Sequence, residues 1–335
     1  MKRIAVDLAK SVYQVAESAR AGEVSQRKRL SRVAFARYVQ EQVGPVEWVM
    51  EACGMAHYWG RVAQARGHRV LLLHPRYVRP YRRRNKTDRN DCDAILEAAR
   101  CAGIHPVPVK SHEQQQVQQL HNLREMWKKS RTQRINLLRG IFREMGLEAP
   151  MSTAAFLQTA SELLERPEVC ALRGALQVVL GEINLYEQSM HECEAQLARW
   201  HAEDEILHKL DEVSGIGLLT ASALKAAVGS PERFANGRQL SAWLGMTPRE
   251  HSSGERRHLG HISRQGNVYV RTLLIHGARS ALLAAQRCQA RTPEKMTAAL
   301  GDHHGGADWA EQSSGGIGEQ AGEDLLGRVV SRATF

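Results

Sequence analysis

Two aspartates three residues apart, Asp88 and Asp91, stand at the start of a predicted helix, directly after a strongly basic segment. Residues three apart lie on one face of a helix, so both carboxylates would face the same point. Acid pairs bind hard cations such as Mg²⁺, and neighbouring cationic side chains bind phosphate, as a metal-dependent phosphodiester enzyme requires. On this segment alone, two aspartates that only cap and charge the helix are an equally good interpretation.

The basic segment beside this acid pair is a candidate nucleic-acid contact. Its members are Arg82, Arg83, Arg84 and Lys86. Positive charge is concentrated in this part of the chain, because residues 1–110 contain 21 Lys and Arg against 10 Asp and Glu, while the whole chain of 335 residues carries a net charge of +10. Such an excess favours a polyanionic partner. The aromatic content of 5% argues against a base-stacking platform as the main binding mode.

The elements that must position the acids are predicted from the hydrophobic pattern. Residues 1–110 show three strands, then a helix, a strand, a helix, a strand and a last helix, which is an α/β domain. Asp7 falls near the end of the first strand and Glu51 at the end of the fourth. Sites in open α/β sheets form at strand ends. Four acids at such positions are harder to explain as caps or surface charge than any one acid, so together they favour a metal site.

Residues 111–208 are predicted to form two long helices. The second helix carries apolar residues at alternating steps of three and four from Leu176 to Trp200, which is a heptad seam. This seam must pack on the first long helix or on the same helix of a second subunit. The sequence does not choose between them, although a dimer is a natural arrangement and we expect pairing between subunits.

Residues 209–290 have a different character and are predicted to be mostly α-helical. Gly215 and Gly217 flank a turn before an alanine-rich helix, and exposed backbone N–H groups at such a turn bind phosphate in helix-hairpin-helix elements. A simple turn between two helices is the alternative interpretation.

A polar, basic segment from 248 to 266 contains two adjacent serines, Ser252 and Ser253, followed by Arg256 and Arg257. A serine beside a glycine and among arginines suits a nucleophile that attacks phosphate. A flexible loop is the alternative, and the composition alone predicts a loop.

The remaining features concern the compartment and the end of the chain. Six cysteines without CxxC spacing are typical of reduced thiols in a cytoplasmic protein, and neither a signal peptide nor a membrane-spanning run is recognisable. Residues 291–335 are rich in glycine, histidine and acids, and they are predicted to form an atypical, disordered tail. The adjacent His303 and His304 are a weak metal signal.

In combination, these features resemble the DEDD transposases of bacterial insertion sequences, the group whose recombinase works with a bridge RNA encoded by the element. The resemblance covers about residues 1–290 and rests on several short segments. In chain order they are Ile4-Ala5-Val6-Asp7, Met50-Glu51-Ala52-Cys53-Gly54, Lys86-Thr87-Asp88-Arg89-Asn90-Asp91, Ser214-Gly215-Ile216-Gly217, Phe234, Leu240 to Pro248, Ser253-Gly254 and Arg264-Gln265-Gly266-Asn267.

The resemblance implies a domain layout and a fold. Residues 1–110 would be a RuvC-like catalytic domain of the ribonuclease H type. Residues 111–208 would be a coiled-coil linker and dimerisation region, and residues 209–290 a transposase C-terminal domain with a helix-hairpin-helix-like element. The family helix expected after residue 290 is not recognisable, which predicts a frameshifted or otherwise altered tail at 291–335.

The resemblance also implies a chemistry. The catalytic and Mg²⁺-binding tetrad would be Asp7, Glu51, Asp88 and Asp91. The catalytic serine would be Ser253, with Ser252 as the alternative one residue away. The implied partners are donor and target DNA, a bridge RNA and further copies of the chain in a dimer or tetramer, in the bacterial cytoplasm at the nucleoid.

Three functions compete. The first is a recombinase that cuts and rejoins DNA with Mg²⁺ and a serine nucleophile under RNA guidance. The second is a RuvC-like structure-specific nuclease in which metal-activated water attacks. The third is a dimeric nucleic-acid-binding protein whose acids are structural. Metal-dependent cleavage separates the third from the others, and a covalent protein–DNA adduct separates the first from the second.

Overall fold

The computed structural model describes residues 1–82, 88–254 and 256–291. The described residues form two compact units that divide between residues 113 and 114. The predictions for Arg83, Arg84, Lys86 and the tail from 292 onwards fall outside the described residues. Asp88 is described only as the first residue of a helix, and its side chain lies outside the description.

The first unit is built on a five-stranded mixed sheet. Its strands are β1 (Arg3–Leu8), β2 (Val12–Ser18), β3 (Gln26–Ser31), β4 (Glu47–Glu51) and β5 (Arg69–Leu73), in the lateral order β3-β2-β1-β4-β5. β2 pairs antiparallel with both β1 and β3, whereas β4 runs parallel to both β1 and β5. The prediction of a mixed α/β N-terminal region is confirmed.

Four helices accompany this sheet, namely α1 (Arg32–Gln40), α2 (Ala56–Gln64), α3 (Pro75–Val78) and α4 (Asp88–Ala98). Ser31 caps α1, because its side chain accepts a hydrogen bond of 3.2 Å from the N–H of Ala34. Residues of α1 and α2 pack on one face of the sheet with Val6 and Met50. The apolar residues of α4 pack on the opposite face with Ala5 and Val49. Thus β1 and β4 contribute alternate side chains to two cores.

The second unit begins with a helical region made of α5 (His112–Glu144), α6 (Thr153–Leu164) and α7 (Arg173–Ala202). The predicted heptad seam is buried within the chain, since Leu176 and Ile183 share a core with Ile135, Leu138 and Phe142 of α5. Three ion pairs also cross from α5 to α7, with nitrogen–oxygen distances of 2.5 to 2.7 Å. They are Arg124–Glu194, Arg131–Glu187 and Arg134–Glu182. At these positions the seam therefore packs on the first long helix, which is the intrachain alternative.

The rest of the second unit consists of α8 (Glu205–Asp211), α9 (Leu218–Val228), α10 (Gly237–Trp243) and α11 (Val268–Arg291), with a hairpin of β6 (Pro248–Glu250) and β7 (Leu259–Ile262). The helices enclose an apolar core that includes Leu210, Leu224, Leu240 and Leu274. The mostly helical character predicted for residues 111–290 is confirmed in the described part of that range. Within the polar segment 248–266, β6 and β7 pair as a hairpin, and Ser252 and Ser253 lie in the connection between the two strands.

Two further findings concern membrane-spanning helices and the cysteines. Within the described ranges, no helix combines the length and the apolar character needed to cross a membrane. Five cysteines of the described part of the chain carry free thiols. They are Cys53, Cys92, Cys101, Cys170 and Cys193.

Candidate metal and nucleic-acid site

The sheet brings Asp7 and Glu51 to one end of two neighbouring strands. Val6 and Met50 are paired residues of the parallel strands β1 and β4, and Asp7 and Glu51 follow that pair by one residue each. Because side chains alternate between the two faces of a sheet, both carboxylates lie on the face opposite Val6 and Met50. That face is covered by α4, so the strand acids and the acids of α4 belong to the same side of the sheet.

The charges of these acids contribute to the raised pKa values of two cysteine thiols, Cys53 and Cys92. Desolvation raises the pKa of the Cys53 thiol, and the negative charges of Glu51 and Asp7 raise it further. Burial raises the pKa of Cys92 in α4 to about 12, and the charge of Asp7 adds to this effect while a hydrogen bond with the backbone of Asp7 opposes it. Asp7 thus lies close both to the segment after β4 and to the first turns of α4.

Asp91 completes this group of acids from the helix side. It lies in the first turn of α4 and is only 7% exposed. Arg82 forms an ion pair with it, with Nε of Arg82 2.5 Å from Oδ1 of Asp91, although the pair lacks hydrogen-bond geometry. A terminal nitrogen of the same guanidinium lies 3.8 Å from Oε1 of Glu51. One cation therefore lies between carboxylates supplied by β4 and α4.

The side chains on this face are of the chemical type that binds a divalent cation. Carboxylate oxygens are the hard ligands that Mg²⁺ prefers. The Arg82 guanidinium shows that Glu51 and Asp91 converge closely enough to share one positive charge. A buried carboxylate such as Asp91 requires a compensating cation. Arg82 provides it in this structure, and the assignment of Asp7, Glu51 and Asp91 as metal ligands stays a prediction.

Arg82 itself was predicted to bind nucleic acid. Its side chain is 24% exposed and is engaged with Glu51 and Asp91. The phosphate contact of Arg82 stays a prediction, and it requires the guanidinium to leave the two carboxylates.

The two candidate serines lie between β6 and β7 and have different environments. The hydroxyl of Ser252 donates to Oε1 of Glu250 at 2.7 Å and accepts from the N–H of His258 at 3.1 Å. Ser253 is exposed, and its backbone exchanges two hydrogen bonds of 3.2 Å with Arg256. No residue in the described part of the chain hydrogen-bonds to the hydroxyl of Ser253.

The same connection presents two arginines beside the serines. Arg256 is exposed, and the side chain of Arg257 is 73% exposed, with its Nε 3.5 Å from Oε1 of Glu250. An exposed pair of this kind contributes little to stability. Both guanidinium groups are therefore accessible for a phosphate, which a guanidinium can bind through two parallel hydrogen bonds.

The two glycines of the Gly-Ile-Gly turn have different surroundings. Gly215 has φ +88°, and a Cβ placed on it would lie 2.6 Å from the carbonyl oxygen of Gly277 in α11. Gly217 is the residue before α9, and a Cβ there would meet nothing within 4 Å. Packing against Gly277 thus explains the need for glycine at 215. The open N-terminus of α9 at Gly217 retains the geometry for a phosphate, and both nucleic-acid contacts stay predictions.

One group of possible metal ligands was missed in the sequence. His201, His208 and Asp211 each place a ligand atom within 4.8 Å of the others. His208 and Asp211 are three residues apart on α8, which is a spacing that puts them on one face. The third member lies at the end of α7, so only the fold shows that the three meet.

Comparison with known proteins identifies both halves of the chain. Residues 207–293 match the family model described as "Transposase IS116/IS110/IS902 family", and residues 4–146 match a second model described as "Transposase". The chain is 39% identical over 297 residues to a "Probable family 20 transposase" of Pseudomonas aeruginosa, covering 87% of this chain and 88% of that protein.

Two further relatives belong to named insertion sequences. The transposase for insertion sequence element IS1111A of Coxiella burnetii is 37% identical over 286 residues, which are 84% of this chain and 78% of that protein. The transposase for insertion sequence element IS1328 of Yersinia enterocolitica is 29% identical over 305 residues, or 90% of each chain.

Proposed function

The chain belongs to the IS110/IS116 family of DEDD transposases of insertion sequences, enzymes that cleave and rejoin DNA. We propose the following roles for its domains and residues. Residues 1–110 are the catalytic domain, residues 111–208 the helical linker and dimerisation region, and residues 209–290 the transposase C-terminal domain. The observation that carries the proposal is the convergence of Glu51 and Asp91 on one cation, Arg82.

The catalytic domain is of the RuvC-like, ribonuclease H type. The mixed sheet with the order β3-β2-β1-β4-β5 supports this assignment. So does the placement of the acids, because Asp7 and Glu51 come from adjacent central strands and Asp91 comes from the helix that covers them. Asp88 is included as the residue at the beginning of α4, one turn before Asp91.

Transposases of this DEDD type typically use a divalent metal ion, and we assign Mg²⁺ to Asp7, Glu51, Asp88 and Asp91. Bound there, Mg²⁺ would neutralise phosphate charge and favour ionisation of an attacking hydroxyl. The four acids would hold the positive charge of the metal ion at the end of the sheet. Arg82, released from Glu51 and Asp91, would then be free to bind a neighbouring phosphate.

Ser253 is the proposed nucleophile. Its hydroxyl is exposed between β6 and β7 and is not held by a described hydrogen-bond partner, whereas the hydroxyl of Ser252 is engaged at both sides. Attack forms a bond between Ser253 Oγ and phosphorus while the bond to the leaving deoxyribose oxygen breaks; the hydroxyl proton of Ser253 passes to water, and the leaving oxygen takes up a proton from water. Arg256 and Arg257 neutralise the phosphate during this exchange. Because the phosphoserine conserves the phosphodiester energy, the reverse attack by a new strand end rejoins DNA without ATP.

The proposal includes the partners of the reaction. Donor and target DNA are the substrates, and a bridge RNA encoded by the element selects them. Gly217 at the start of α9 supplies a helix-hairpin-helix-like phosphate contact, together with the turn at Gly215. The acids and Ser253 belong to different units of the chain, so the proposal requires docking of domains or of subunits to complete the site, and it includes a dimer or tetramer as the assembly.

The test is to trap the reaction with denaturant. Purified protein, the transcribed flanking noncoding RNA, Mg²⁺ and end-labelled element DNA are mixed, and DNA-linked protein is detected by gel shift and peptide mapping. We expect an adduct at Ser253 that is absent from Ser253→Ala and persists in Ser252→Ala. Asp7→Ala, Glu51→Ala and Asp91→Ala should bind DNA and RNA yet neither cut nor form the adduct.

Each other result has a defined meaning. An adduct at Ser252 moves the nucleophile by one residue. Metal-dependent cleavage without an adduct favours the nuclease that uses water. Normal cleavage by the three alanine variants refutes the metal site, and activity that is unchanged by ribonuclease treatment refutes RNA guidance.

A further inference from the structure

A second group of metal-ligand side chains lies where the long helix α7 meets the short helix α8. His201 is one residue before the end of α7, while His208 and Asp211 lie one turn apart on α8. All three ligand atoms lie within 4.8 Å of one another. The group belongs to the second unit, and none of its members is among the catalytic or DNA-binding residues proposed above.

The most buried member of the group, His201, has a ring nitrogen that makes no hydrogen bond to the described residues. His201 is 8% exposed, and its Nε2 is buried. Oδ2 of Asp211 lies 2.9 Å away, but among the described residues Nε2 makes no hydrogen bond of acceptable geometry. A buried polar atom in this position is costly unless it is paired or bound to a metal. An ion inserted between His201 and Asp211 would satisfy it.

His208 is oriented in the way that metal-binding histidines commonly are. Its Nε2 lies 3.3 Å from the carbonyl oxygen of Ala202. If Nε2 donates its proton to that carbonyl, Nδ1 carries the lone pair of the neutral ring and is available to a metal. Metal-bound histidines usually donate their other ring N–H in this manner, because the bond fixes the tautomer and the ring orientation.

The dimensions also agree with a small transition-metal ion. Ligand atoms about 2.1 Å from a tetrahedral Zn²⁺ ion are about 3.4 Å apart. His201 and Asp211 are already closer than this at 2.9 Å. The largest separation in the group is at most 4.8 Å, so small shifts of the side chains would bring the three ligand atoms to this spacing. Two imidazoles and one carboxylate suit Zn²⁺ better than Mg²⁺, which prefers oxygen ligands.

We propose that His201, His208 and Asp211 form a Zn²⁺ site that joins the end of α7 to α8. Three protein ligands leave a fourth position for water or a further ligand. The bound ion would fix the angle at which the C-terminal helices leave the long helix. Other contacts already act at this junction, since Asp204 caps α8 through the N–H groups of Ile206 and Leu207 and forms an ion pair with Lys225 of α9.

The experiment uses the full-length protein with Co²⁺ as a spectroscopic probe and Zn²⁺ as the competing ion. Excess Mg²⁺ is present throughout to occupy the carboxylate site of the first unit. We expect a visible absorption band from one equivalent of Co²⁺ in a site with imidazole ligands, and its displacement by Zn²⁺. His208→Asn and Asp211→Asn should each weaken Co²⁺ binding at least about tenfold. Both positions are exposed, so neither variant should fail to fold.

The control variant is His276→Asn, at an exposed histidine of α11 that belongs to no metal-ligand group in the described part of the chain. It should bind Co²⁺ like the parent protein. Zn²⁺ should raise the midpoint of thermal unfolding of the parent and of His276→Asn, but not that of His208→Asn. The proposal is overturned if the parent shows no Co²⁺ band, if the band survives in His208→Asn and Asp211→Asn, or if His276→Asn loses it equally. These outcomes do not depend on DNA cleavage.

Discussion

Nε of Arg82 lies 2.5 Å from Oδ1 of Asp91, so the predicted metal-binding helix already holds a cation. Asp91 is buried, and its negative charge requires compensation. Arg82 supplies that compensation and also reaches Glu51 at 3.8 Å. A metal ion bound by the same carboxylates must compete with this guanidinium. Arg82 would therefore restrain metal binding until another anion, such as a DNA phosphate, attracts it away.

The first prediction is that Arg82→Gln binds Mn²⁺, used as a probe for Mg²⁺, about tenfold more tightly than the parent protein, a gain of about 1.4 kcal/mol. Without metal, the variant should lose about 3 kcal/mol of stability, because Asp91 is left buried without a cation. Calorimetric titration measures the affinity, and urea unfolding in EDTA measures the stability. Arg79→Gln, at an exposed arginine three residues earlier, is the matched control. An unchanged Mn²⁺ affinity in Arg82→Gln would contradict the competition.

A second prediction concerns the arginines beside Ser253. Replacing both Arg256 and Arg257 by Gln should weaken DNA binding at all sequences, because each guanidinium that contacts a phosphate releases counterions. The slope of log affinity against log salt should become shallower by about 0.9 for each lost contact. Fluorescence anisotropy at several salt concentrations gives the slope. Arg166→Gln, at an exposed arginine near Glu168, is the control and should leave it unchanged. Equal slopes for the double variant and the parent would exclude the phosphate contacts.

The two glycines of the turn before α9 should respond differently to alanine. Gly215→Ala places a methyl group against the backbone of Gly277 at a positive φ, so it should lower the unfolding free energy by about 1–3 kcal/mol. Gly217→Ala has open space and an extended backbone, and should change stability by less than about 0.5 kcal/mol. Denaturant unfolding compares them directly. Equal losses in the two variants would refute the close packing of Gly215.

The sequence predicted the positions of strands more accurately than the contacts of charged side chains. The run at 69–73 is apolar after its first residue and ends before Pro75, a pattern that predicts a strand, and β5 occupies these residues. By contrast, helical periodicity places Arg271 on a polar face, yet Arg271 is buried and donates to the carbonyl of Leu244 at 2.7 Å. A local pattern records the spacing of charges, but not which distant carbonyl or carboxylate the fold brings within reach.

The same limit applies to the candidate site. Asp7 and Glu51 were recognisable because strand ends meet at a sheet edge. The basic segment was recognisable as positive, but its charge did not reveal that Arg82 turns toward Glu51 and Asp91. The heptad seam likewise defined an apolar face without its partner, because such a face packs equally well on α5 of the same chain or on another subunit.

A buried histidine should make the second unit sensitive to acid. Burial, together with the positive charge of Arg124, lowers the pKa of His121 to about 4. The hydroxyl of Ser222 donates to the carbonyl of Leu218, so Nε2 of His121 donates to Ser222 at 3.1 Å and Nδ1 accepts from the hydroxyl of Tyr269 at 3.0 Å. This hydrogen-bond network requires the neutral form of His121, because Nδ1 accepts a hydrogen bond.

The depressed pKa of His121 makes the stability of the protein depend on pH. Because the folded pKa lies below the unfolded value of about 6.5, the unfolded state takes up a proton first as the pH falls. The stability from His121 is complete above about pH 6.5 and should decrease by about 2 kcal/mol at pH 5. Urea unfolding at pH 7 and pH 5 measures this change, and His121→Gln should lose less between the two pH values. An identical loss in His121→Gln would show that other groups cause the acid sensitivity.

The last prediction separates the two possible partners of the heptad seam. Ile183 is fully buried against α5, whereas Val178 on the same helix is 66% exposed. Ile183→Ala should therefore cost about 2–4 kcal/mol of unfolding free energy, and Val178→Ala less than about 0.5 kcal/mol. Because the partners of Ile183 lie in its own chain, the loss should be the same at low and high protein concentration. A seam that paired between subunits would instead give a loss that depends on concentration. Denaturant unfolding over a hundredfold range of concentration, with the mass followed by light scattering, makes the distinction. If Ile183→Ala lowers the mass and its loss varies with concentration, the seam joins subunits; if the mass is kept, any dimer or tetramer must use another surface.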